Sequence, residues 1–281
     1  MCRVLGVTRA AYYKSLGAPI MPQKTKSKTI LAAIEDIRQG SYFTGYGSPR
    51  MHRELISRGI NCCVNTVAKT MRTAGIMADR KGKFRIQTTD SNHDFPIAKN
   101  LLRQDFRTQS LNEVWLTDFT YLKTLEGWTY LCSFIDLHSR KVVGWATSRT
   151  IDSELAVLAL DLAFETRLRP AGVIVHSDRG SQYASENFRT RLSKFGLIQS
   201  MSRRGNCYDN APMESFFKTY KTEETKDTVY PTHEAATRAA SSFIEGFYNP
   251  IRLHSSIGYV SPIAFEESIR ASPQASTAAC T

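Results

Sequence analysis

The chain has 281 residues, 42% of them hydrophobic and 10% aromatic, so it can bury the cores of two domains and is not an intrinsically disordered protein. No apolar run approaches the roughly 18 residues of a membrane helix and the N-terminus has no secretory signal pattern, which predicts a cytoplasmic protein without a membrane partner. The net charge of +11 is uneven, because residues 1–108 contain 19 of the 37 Lys and Arg but 7 of the 26 Asp and Glu, which indicates a polyanion-binding region ahead of a neutral body.

The first 20 residues are predicted to form a partial helical segment. Thr8 is a suitable N-cap for the helix that follows it, and Gly17 ends this helix. The pattern is typical of the second half of a helix-turn-helix whose first half is missing. Residues 18–27, which contain prolines and lysines, are predicted to be a linker.

Residues 28–78 are predicted to form a helix-turn-helix-like domain. Apolar residues at helical spacing predict helices at residues 28–38, 49–58 and 64–74, the second of them capped by Ser48. Two helices joined by a short glycine-containing turn are typical of a DNA-binding unit. Polar residues on the exposed side of the last helix would then face DNA: Asn65, Thr66, Lys69, Thr70 and Arg72. An ordinary helical hairpin with a solvated face is the alternative.

A basic and then polar stretch, residues 79–110, is predicted to be an exposed linker, and the pattern changes after it. The strings WLTDFTYLKT, WTYLCSFIDL and KVVGWATS predict three antiparallel strands. A helix at 153–167 capped by Ser153, a buried strand GVIVHSD, a helix at 185–195, a strand at 197–201 and a helix at 211–225 follow. This order predicts an α/β domain over residues 111–230, with flanking helices on a mixed sheet. Residues 231–281 are predicted to be a C-terminal helix and tail.

Four acidic residues lie in apolar or turn-like surroundings. Asp118 is in the middle of the first predicted strand, and Asp178 follows the buried strand at its carboxyl end. Glu214 falls in the first turn of a helix, and Asp136 ends the second strand. Each alone is more often a turn former or a helix-dipole partner.

The first three of these acids together predict a metal site. A strand Asp, an Asp after a parallel strand and a helix Glu can converge into one cluster, which cannot stay ionised without cations. Oxygen ligands suit Mg²⁺ or Mn²⁺. Two ions about 4 Å apart would stabilise the attacking and leaving oxygens of a phosphodiester displacement.

The spacing and the flanking strings resemble a known family. Between Asp178 and Glu214 lie 35 residues, and Lys221 comes seven after Glu214, as in retroviral integrases and related bacterial transposases. The strings VWLTDFTYL, HSDRGSQYAS, SRRGNCYDNAPMESFFKTYKTE and FYNPIRLHSSIGYVSP resemble the OrfB product of a large bacterial insertion-sequence family. The resemblance covers residues 1–268.

The resemblance implies a ribonuclease-H-like catalytic domain, preceded by an all-helical helix-turn-helix domain. It implies that Asp118, Asp178 and Glu214 hold two Mg²⁺ or Mn²⁺ ions, and that Lys221, with Lys218 on the same helical face, contacts element-end DNA. The family's reaction is cleavage at a 3′ end by water, followed by attack of the freed 3′-hydroxyl on another phosphodiester. The implied partners are double-stranded DNA of element ends and target and further copies of the chain, associated with the nucleoid.

The sequence departs from the family in three places. The paired His/Cys zinc domain of retroviral integrases is absent, so the resemblance does not imply zinc. Pro250 stands where the terminal motif usually has a basic residue, which weakens a DNA-contact role there. No leucine-zipper pattern occurs at the front, and in this family an upstream frame encodes that part with the main helix-turn-helix. That product, fused or separate, is therefore an expected partner.

Residues around the three acids have weaker assignments. The guanidinium groups of Arg179, Arg203 and Arg204 are suited to phosphate, although a solvated surface explains them almost as well. We expect Asn210 to cap the helix and thereby position Glu214. Residues expected to be structural are His138, His176, Trp115, Trp128 and Trp145.

Two other functions fit parts of this pattern. A non-catalytic DNA-binding protein, such as a decayed transposase acting as a repressor, would need the basic helical domain but not the three acids. A ribonuclease or junction nuclease on the same fold would need the acids but not the helical domain or the terminal motif.

Overall fold

The computed structural model describes residues 6–8, 12, 22–40, 42–79, 95–204, 206–225 and 228–271. The chain divides into two compact units, Met1–Asp79 and Arg80–Thr281. The helix predicted after Thr8 lies almost entirely outside the described residues, as does the first half of the linker predicted at 79–110. None of the helices within these ranges is long and apolar enough to cross a lipid bilayer.

The described part of the first unit contains three α-helices, close to the positions predicted from the hydrophobic spacing. Their bounds are Pro22–Gln39 (α1), Ser48–Ser57 (α2) and Val64–Thr73 (α3). Each contributes apolar side chains to one shared core, whose members are Ile30, Ile34, Ile37, Met51, Leu55, Val67 and Met71. Gly59 and Gly75 follow α2 and α3 with φ angles of 79° and 68°, which glycine adopts without strain.

Two details of α2 and α3 correct the sequence interpretation. Ser48 is the first residue of α2, and Gly47 occupies the N-cap position. Thr70, expected on the exposed side of α3, is buried at 9% exposure because it faces the helical core. Lys69 and Arg72 are exposed, as the spacing predicts.

A five-stranded mixed sheet forms the centre of the second unit. The strands are Val114–Thr124 (β1), Gly127–Asp136 (β2), Val142–Ser148 (β3), Ile174–Ser177 (β4) and Ile198–Met201 (β5). They lie in the order β3-β2-β1-β4-β5. The first three strands form the predicted antiparallel meander, while β4 pairs in parallel with both β1 and β5. The mixed α/β fold class is confirmed.

Helix α4 (Ser153–Thr166) packs on the meander and closes the larger apolar core. Its approach to β3 is close, since a Cβ on Gly144 would lie 2.4 Å from the backbone nitrogen of Ala163. The N-cap of α4 is Asp152, whose carboxylate accepts from the Leu155 N–H at 2.9 Å. The prediction that Ser153 caps this helix is therefore wrong by one residue.

The helices predicted from the rest of the sequence are present with altered bounds, and one further helix lies where an irregular tail was predicted. Between β4 and β5 lie Ser181–Ala184 (α5) and Glu186–Lys194 (α6), where one helix was predicted. After β5 come Ala211–Glu223 (α7), His233–Phe243 (α8), a π-helical turn Ile244–Tyr248 and Pro262–Ala271 (α9). Helices α7 and α8 both pack against β1. A second group of buried aromatic rings joins these helices and the π-helical turn to one another, and it includes Phe216, Tyr220, Phe243 and Tyr248.

The second half of the predicted linker, residues 95–110, is attached to the sheet unit. The backbone N–H of Leu101 donates to Ser200 Oγ at 3.0 Å, and Leu102 is buried. The side chains of Asn100 and Gln104 both bond Asp209, just ahead of α7. A linker exposed along its whole length is therefore a wrong interpretation for these residues.

The three tryptophans were predicted to be structural core residues, and they differ from one another. Trp115 is fully buried. Trp145 is half-buried, and its Nε1 donates to Glu245 Oε1 at 2.9 Å. Trp128 corrects the prediction, because it sits at the start of β2 with 45% of its surface exposed.

Candidate active site

Strands β1 and β4 bring two of the three predicted acids to the same level of the sheet. They pair in parallel with a constant offset of 60, Val114 against Ile174 and Leu116 against His176. Continued by two residues, this offset sets Asp118 level with Asp178. Pairing stops before that level, so both carboxylates come where the two strands separate, the place at which open α/β sheets bind ligands.

A tight turn after β4 fixes the carboxylate of Asp178. The backbone N–H of Gly180 donates to Asp178 Oδ1 at 2.9 Å. A Cβ on Gly180 would lie 3.1 Å from that oxygen and 2.9 Å from Gln182 Oε1. The glycine therefore leaves the room in which the acid takes this position.

Helix α7 carries Glu214 and packs against β1 beyond the residues that pair with β4. Asn210 precedes it at the N-cap position, but its side chain makes no capping bond. Instead Asn210 Nδ2 donates to the Thr117 carbonyl at 3.2 Å, which ties the start of the helix to β1 beside Asp118. The expected cap is thus replaced by a cross-link to the strand. Glu214 itself is exposed in the first turn of the helix.

The three predicted acids interact electrostatically. The pKa of Asp118 is raised well above its ordinary value of 3.8, first by burial and then by the negative charges of Asp178 and Glu214. The Phe119 N–H, which donates to Asp118 Oδ1 at 2.8 Å, and the Lys221 ammonium lower the pKa but do not offset these causes. The structure therefore places three carboxylates and a lysine within electrostatic range of one another.

The chemistry of this donor set fits a hard divalent cation. Only carboxylate oxygens are involved, and each carboxylate disfavours ionisation of the others, so a cation would relieve the repulsion. Within the ranges that the structure describes, no three His, Cys, Asp or Glu side chains stand close enough together to hold a metal ion as they are.

Asp209 joins three parts of the chain immediately before α7. Its fully buried carboxylate accepts from Asn100 Nδ2 at 2.8 Å and from Gln104 Nε2 at 2.9 Å. Arg203 adds its backbone N–H at 2.8 Å, Nε at 3.0 Å and Nη2 at 2.8 Å. These bonds hold the pKa of Asp209 far below its ordinary value, with the Arg203 side chain as the largest cause. Asp209 is not among the site residues predicted from the sequence.

A second ion pair holds the other end of α7. Arg252 donates through Nε and Nη2 to the two carboxylate oxygens of Glu223, each at 2.8 Å, and both side chains are 4% exposed. Arg252 belongs to the terminal motif FYNPIRLHSSIGYVSP, so this part of the motif anchors the helix. The sequence signal that could have indicated this ion pair is Glu223 itself. It lies on the inner face of the predicted helix, and a buried carboxylate requires a partner.

The predicted arginines occupy different environments. Arg179 Nε donates to the Ser202 carbonyl at 2.7 Å, between the turns that follow β4 and β5. The fork of Arg203 is directed to Asp209, which replaces the expected phosphate as its partner. Arg204 is exposed beside it. Of the lysines on α7, Lys218 is exposed, and the Lys221 ammonium lies 4.4 Å from the centre of the Tyr121 ring.

The two histidines and the fourth acid contribute to the structure. Burial lowers the pKa of His176 to about 4, and its ring nitrogens contact the hydroxyls of Ser200 and Ser202. His138 is half-buried against Thr108. Asp136 is fully buried, accepts from backbone N–H groups and pairs with Arg167.

The chain is similar to known proteins over almost its whole length. Residues 109–207 and 196–262 match family models described as integrase core domain, and residues 26–84 match an HTH-like domain. The insertion element IS600 uncharacterized 31 kDa protein of Shigella sonnei is 39% identical over 267 residues, 95% of this chain and 97% of that protein. Transposase InsF for insertion sequence IS3A of Escherichia coli (strain K12) is 39% identical over 272 residues, covering 95% and 92%.

Solved structures with lower similarity include two from retroviruses. A simian T-cell lymphotropic virus intasome in complex with a PP2A regulatory subunit gives a TM-score of 0.48 at 17% identity, covering 82% of this chain and 74% of that one. The HTLV-2 integrase catalytic core domain in complex with magnesium gives 0.41 at 16% identity, covering 58% and 99%.

Proposed function

The chain belongs to the IS3-related family of insertion-sequence transposases, and we propose that Asp118, Asp178 and Glu214 are the catalytic carboxylates with which it cleaves and joins DNA. Family membership supports the general function, because relatives of this chain are transposases. The protein is therefore an enzyme of DNA transposition, with an integrase core of the ribonuclease-H-like fold and an HTH-like domain that binds DNA. The observation that supports the three acids is their electrostatic coupling where β1 and β4 separate.

We propose that the three carboxylates hold two Mg²⁺ or Mn²⁺ ions. Such ions, when bound, activate a water or a 3′-hydroxyl and stabilise charge on the attacking and leaving oxygens. The chain's own contribution is to hold the ligands. The Gly180 N–H fixes Asp178, the Phe119 N–H fixes Asp118, and the cross-link from Asn210 to Thr117 holds the helix of Glu214 beside β1.

We propose that basic side chains around these acids bind DNA phosphates. Lys218, Lys221, Arg179 and Arg204 are the candidates on the sheet unit. Arg203 is better placed to support Asp209 than to bind phosphate, because its Nε and Nη2 both donate to that carboxylate. On the helical unit, Lys69 and Arg72 are exposed on α3, the helix that a helix-turn-helix places in the major groove.

We propose that the active assembly contains several copies of the chain, because two element ends must be joined in one reaction. The upstream-frame helix-turn-helix product, fused or separate, remains our predicted partner for end recognition. Purified chain with and without that product, incubated with labelled element ends, would test this by the amount of cleaved DNA.

Asp178→Asn tests the catalytic assignment. We expect cleavage of labelled element ends with Mg²⁺ to fall by more than about 100-fold, since even groups that only orient metal ligands are worth 10–100-fold. Without divalent ions, the affinity of this variant for DNA should stay within about twofold of the wild-type affinity, because the substitution leaves every proposed phosphate-binding side chain in place. Glu165→Gln, an exposed acid on α4, is the matched control and should cleave like the wild type.

If the Asp178→Asn protein still cleaved DNA, the proposed mechanism with Asp178 as a catalytic carboxylate would be wrong. Equal loss in the Glu165→Gln protein would mean that the assay reports general surface charge. Hydrolysis of RNA–DNA hybrids with no joining of DNA would indicate a ribonuclease, and DNA binding without any cleavage would indicate a repressor.

A further inference from the structure

An aromatic pair lies on the β1–β2 hairpin: Tyr121, three residues along β1 from Asp118, is half-buried, and Trp128 on β2 is exposed. The rings of Tyr121 and Trp128 meet edge to face, with centroids 5.1 Å apart and an interplanar angle of 90°. Trp128 is 45% exposed, which is unusual for the largest apolar side chain. This exposure leaves a large flat apolar surface facing solvent beside the proposed site.

Positive charge surrounds this pair. The Lys221 ammonium lies 4.4 Å from the centre of the Tyr121 ring and also interacts with Asp118. Lys123 is the cross-strand neighbour of Trp128 and is exposed. The carboxylate of the hairpin turn, Glu126, accepts from the backbone N–H of His233. The surface around the indole is therefore suited to a polyanion that also carries flat apolar groups.

We propose that Trp128 is a stacking site for an unpaired nucleobase of the DNA strand that reacts at the three acids. This inference rests on the proposed function. Aromatic side chains beside a basic groove are the combination with which proteins hold single-stranded DNA, because every base has a π face and every nucleotide a phosphate. Lys221 covers the Tyr121 ring, so the indole is the stacking surface and Tyr121 holds it upright. Lys123 and Lys221 contact the flanking phosphates.

The position along β1 sets which nucleotide is held. Trp128 pairs with Lys123, five residues along β1 from Asp118, which at about 3.3 Å per strand residue is roughly 17 Å. The side chains of Trp128 and Asp118 lie on opposite faces of the sheet, and Lys221 interacts with both Tyr121 and Asp118. A stacked DNA strand advances about 3.4 Å per nucleotide, so this distance corresponds to about five nucleotides. A base inside an intact duplex has no face to offer. The site therefore selects DNA ends whose last pairs are open, and it holds the reacting strand in that state.

Binding measurements without divalent ions test the stacking site separately from the chemistry. Fluorescence anisotropy would compare a blunt duplex end with the same end carrying about five mismatched, unpaired positions. We expect the wild type to bind the unpaired end about 5- to 30-fold more tightly, the lower part of the range for stacking one base. Trp128→Ala should abolish this preference and leave the affinity for the blunt end unchanged, while Trp128→Phe should retain most of it. Leu125→Ala, which removes a 79% exposed apolar side chain from the adjacent turn, should behave like the wild type.

The outcomes separate this proposal from the catalytic one. Asp178→Asn should keep the preference for the unpaired end even when it cleaves nothing, since the acid is not part of the stacking site. A preference that persists in Trp128→Ala, or one absent from the wild type, would overturn the proposal. An equal loss of affinity for both ends would overturn it too, because it would make Trp128 a general DNA contact. A changed molecular mass in Trp128→Ala without DNA, with the preference intact, would assign the ring to a protein interface instead.

Discussion

Replacing Asp209 with alanine should destabilise the sheet unit measurably without removing any proposed catalytic group. The change deletes an acceptor that is fully buried and takes five hydrogen bonds, three of them from Arg203. The other two come from Asn100 and Gln104, which fix the segment at 95–110. Bonds to a charged group are worth about 1.5–3 kcal/mol each when buried.

The expected loss of unfolding free energy is smaller than the sum of these bonds. The Arg203 side chain is 55% exposed, so water can hydrate it once Asp209 is removed. We therefore expect a loss of about 2–4 kcal/mol, well below five full bonds. For a unit of about 200 residues, 1 kcal/mol corresponds to roughly 2–4 °C, so the unfolding temperature should fall by about 4–16 °C. Asn100→Ala, which removes one donor to Asp209 and the exposed acceptor of the Arg103 N–H, should cost about 1 kcal/mol.

Scanning calorimetry on the whole chain would measure this series, with strand cleavage assayed well below the unfolding temperature of each variant. Cleavage by Asp209→Ala should fall by about 10–100-fold, as for other residues that orient metal ligands, because Asp209 sits five residues before Glu214. An unfolding temperature within about 1 °C of the wild type would refute the argument. A cost for Asn100→Ala as large as that for Asp209→Ala would refute it as well, since the carboxylate would not then be the shared acceptor.

Two further changes test the packing of the sheet unit. Glu266 is buried, which raises its pKa, but the hydrogen bonds and charge of Arg167 outweigh this and hold the pKa below 4.5. A carboxyl group whose pKa is lower in the folded than in the unfolded state stabilises the fold at pH values above its unfolded-state pKa. This stabilisation is lost as the pH falls through the folded-state pKa. Glu266→Gln should therefore cost about 3 kcal/mol at pH 7 in urea unfolding, with the gap to the wild type closing below pH 4.5. A gap that is constant from pH 7 to pH 3 would contradict this sign. Gly144→Ala should lower the free energy of unfolding by at least about 3 kcal/mol, because the new Cβ would clash with the backbone of α4. The control Gly246→Ala should be nearly neutral, because no atom lies within 4 Å of its Cβ position. Equal unfolding temperatures of the two variants would show that α4 can move away from β3.

The parts of the fold that were predicted well depend on local pattern. Alternating and helical spacing of apolar residues indicated the strands and helices, because each element buries one face. Cap residues were misplaced by one position at Ser48 and Ser153. Neighbouring residues compete for the same backbone N–H groups there, and sequence alone does not decide between Asp152 and Ser153.

The parts that were missed depend on contacts between residues far apart in the chain. The bond from Asn100 to Asp209 spans 109 positions, and the pair of Arg252 with Glu223 spans 29. Neither produces a periodic pattern. The exposure of Trp128 was missed for a similar reason, since composition favours burying an indole while its place at the end of a hairpin leaves it at the surface. The candidate acids were found through spacing and resemblance, and their tethers, such as Asn210 to Thr117, were not.

The two attachments of α7 have a consequence for the order in which the protein becomes competent during synthesis. A nascent chain that ends just after α7 already contains Asp118, Asp178 and Glu214, and also Glu223 at the end of the helix. The helix of Glu214 still lacks the guanidinium that neutralises its buried Glu223, because Arg252 has not yet been made. We expect this helix to dock firmly only when translation has passed the terminal motif. An unfinished polypeptide would then contain all three proposed catalytic acids without an assembled site.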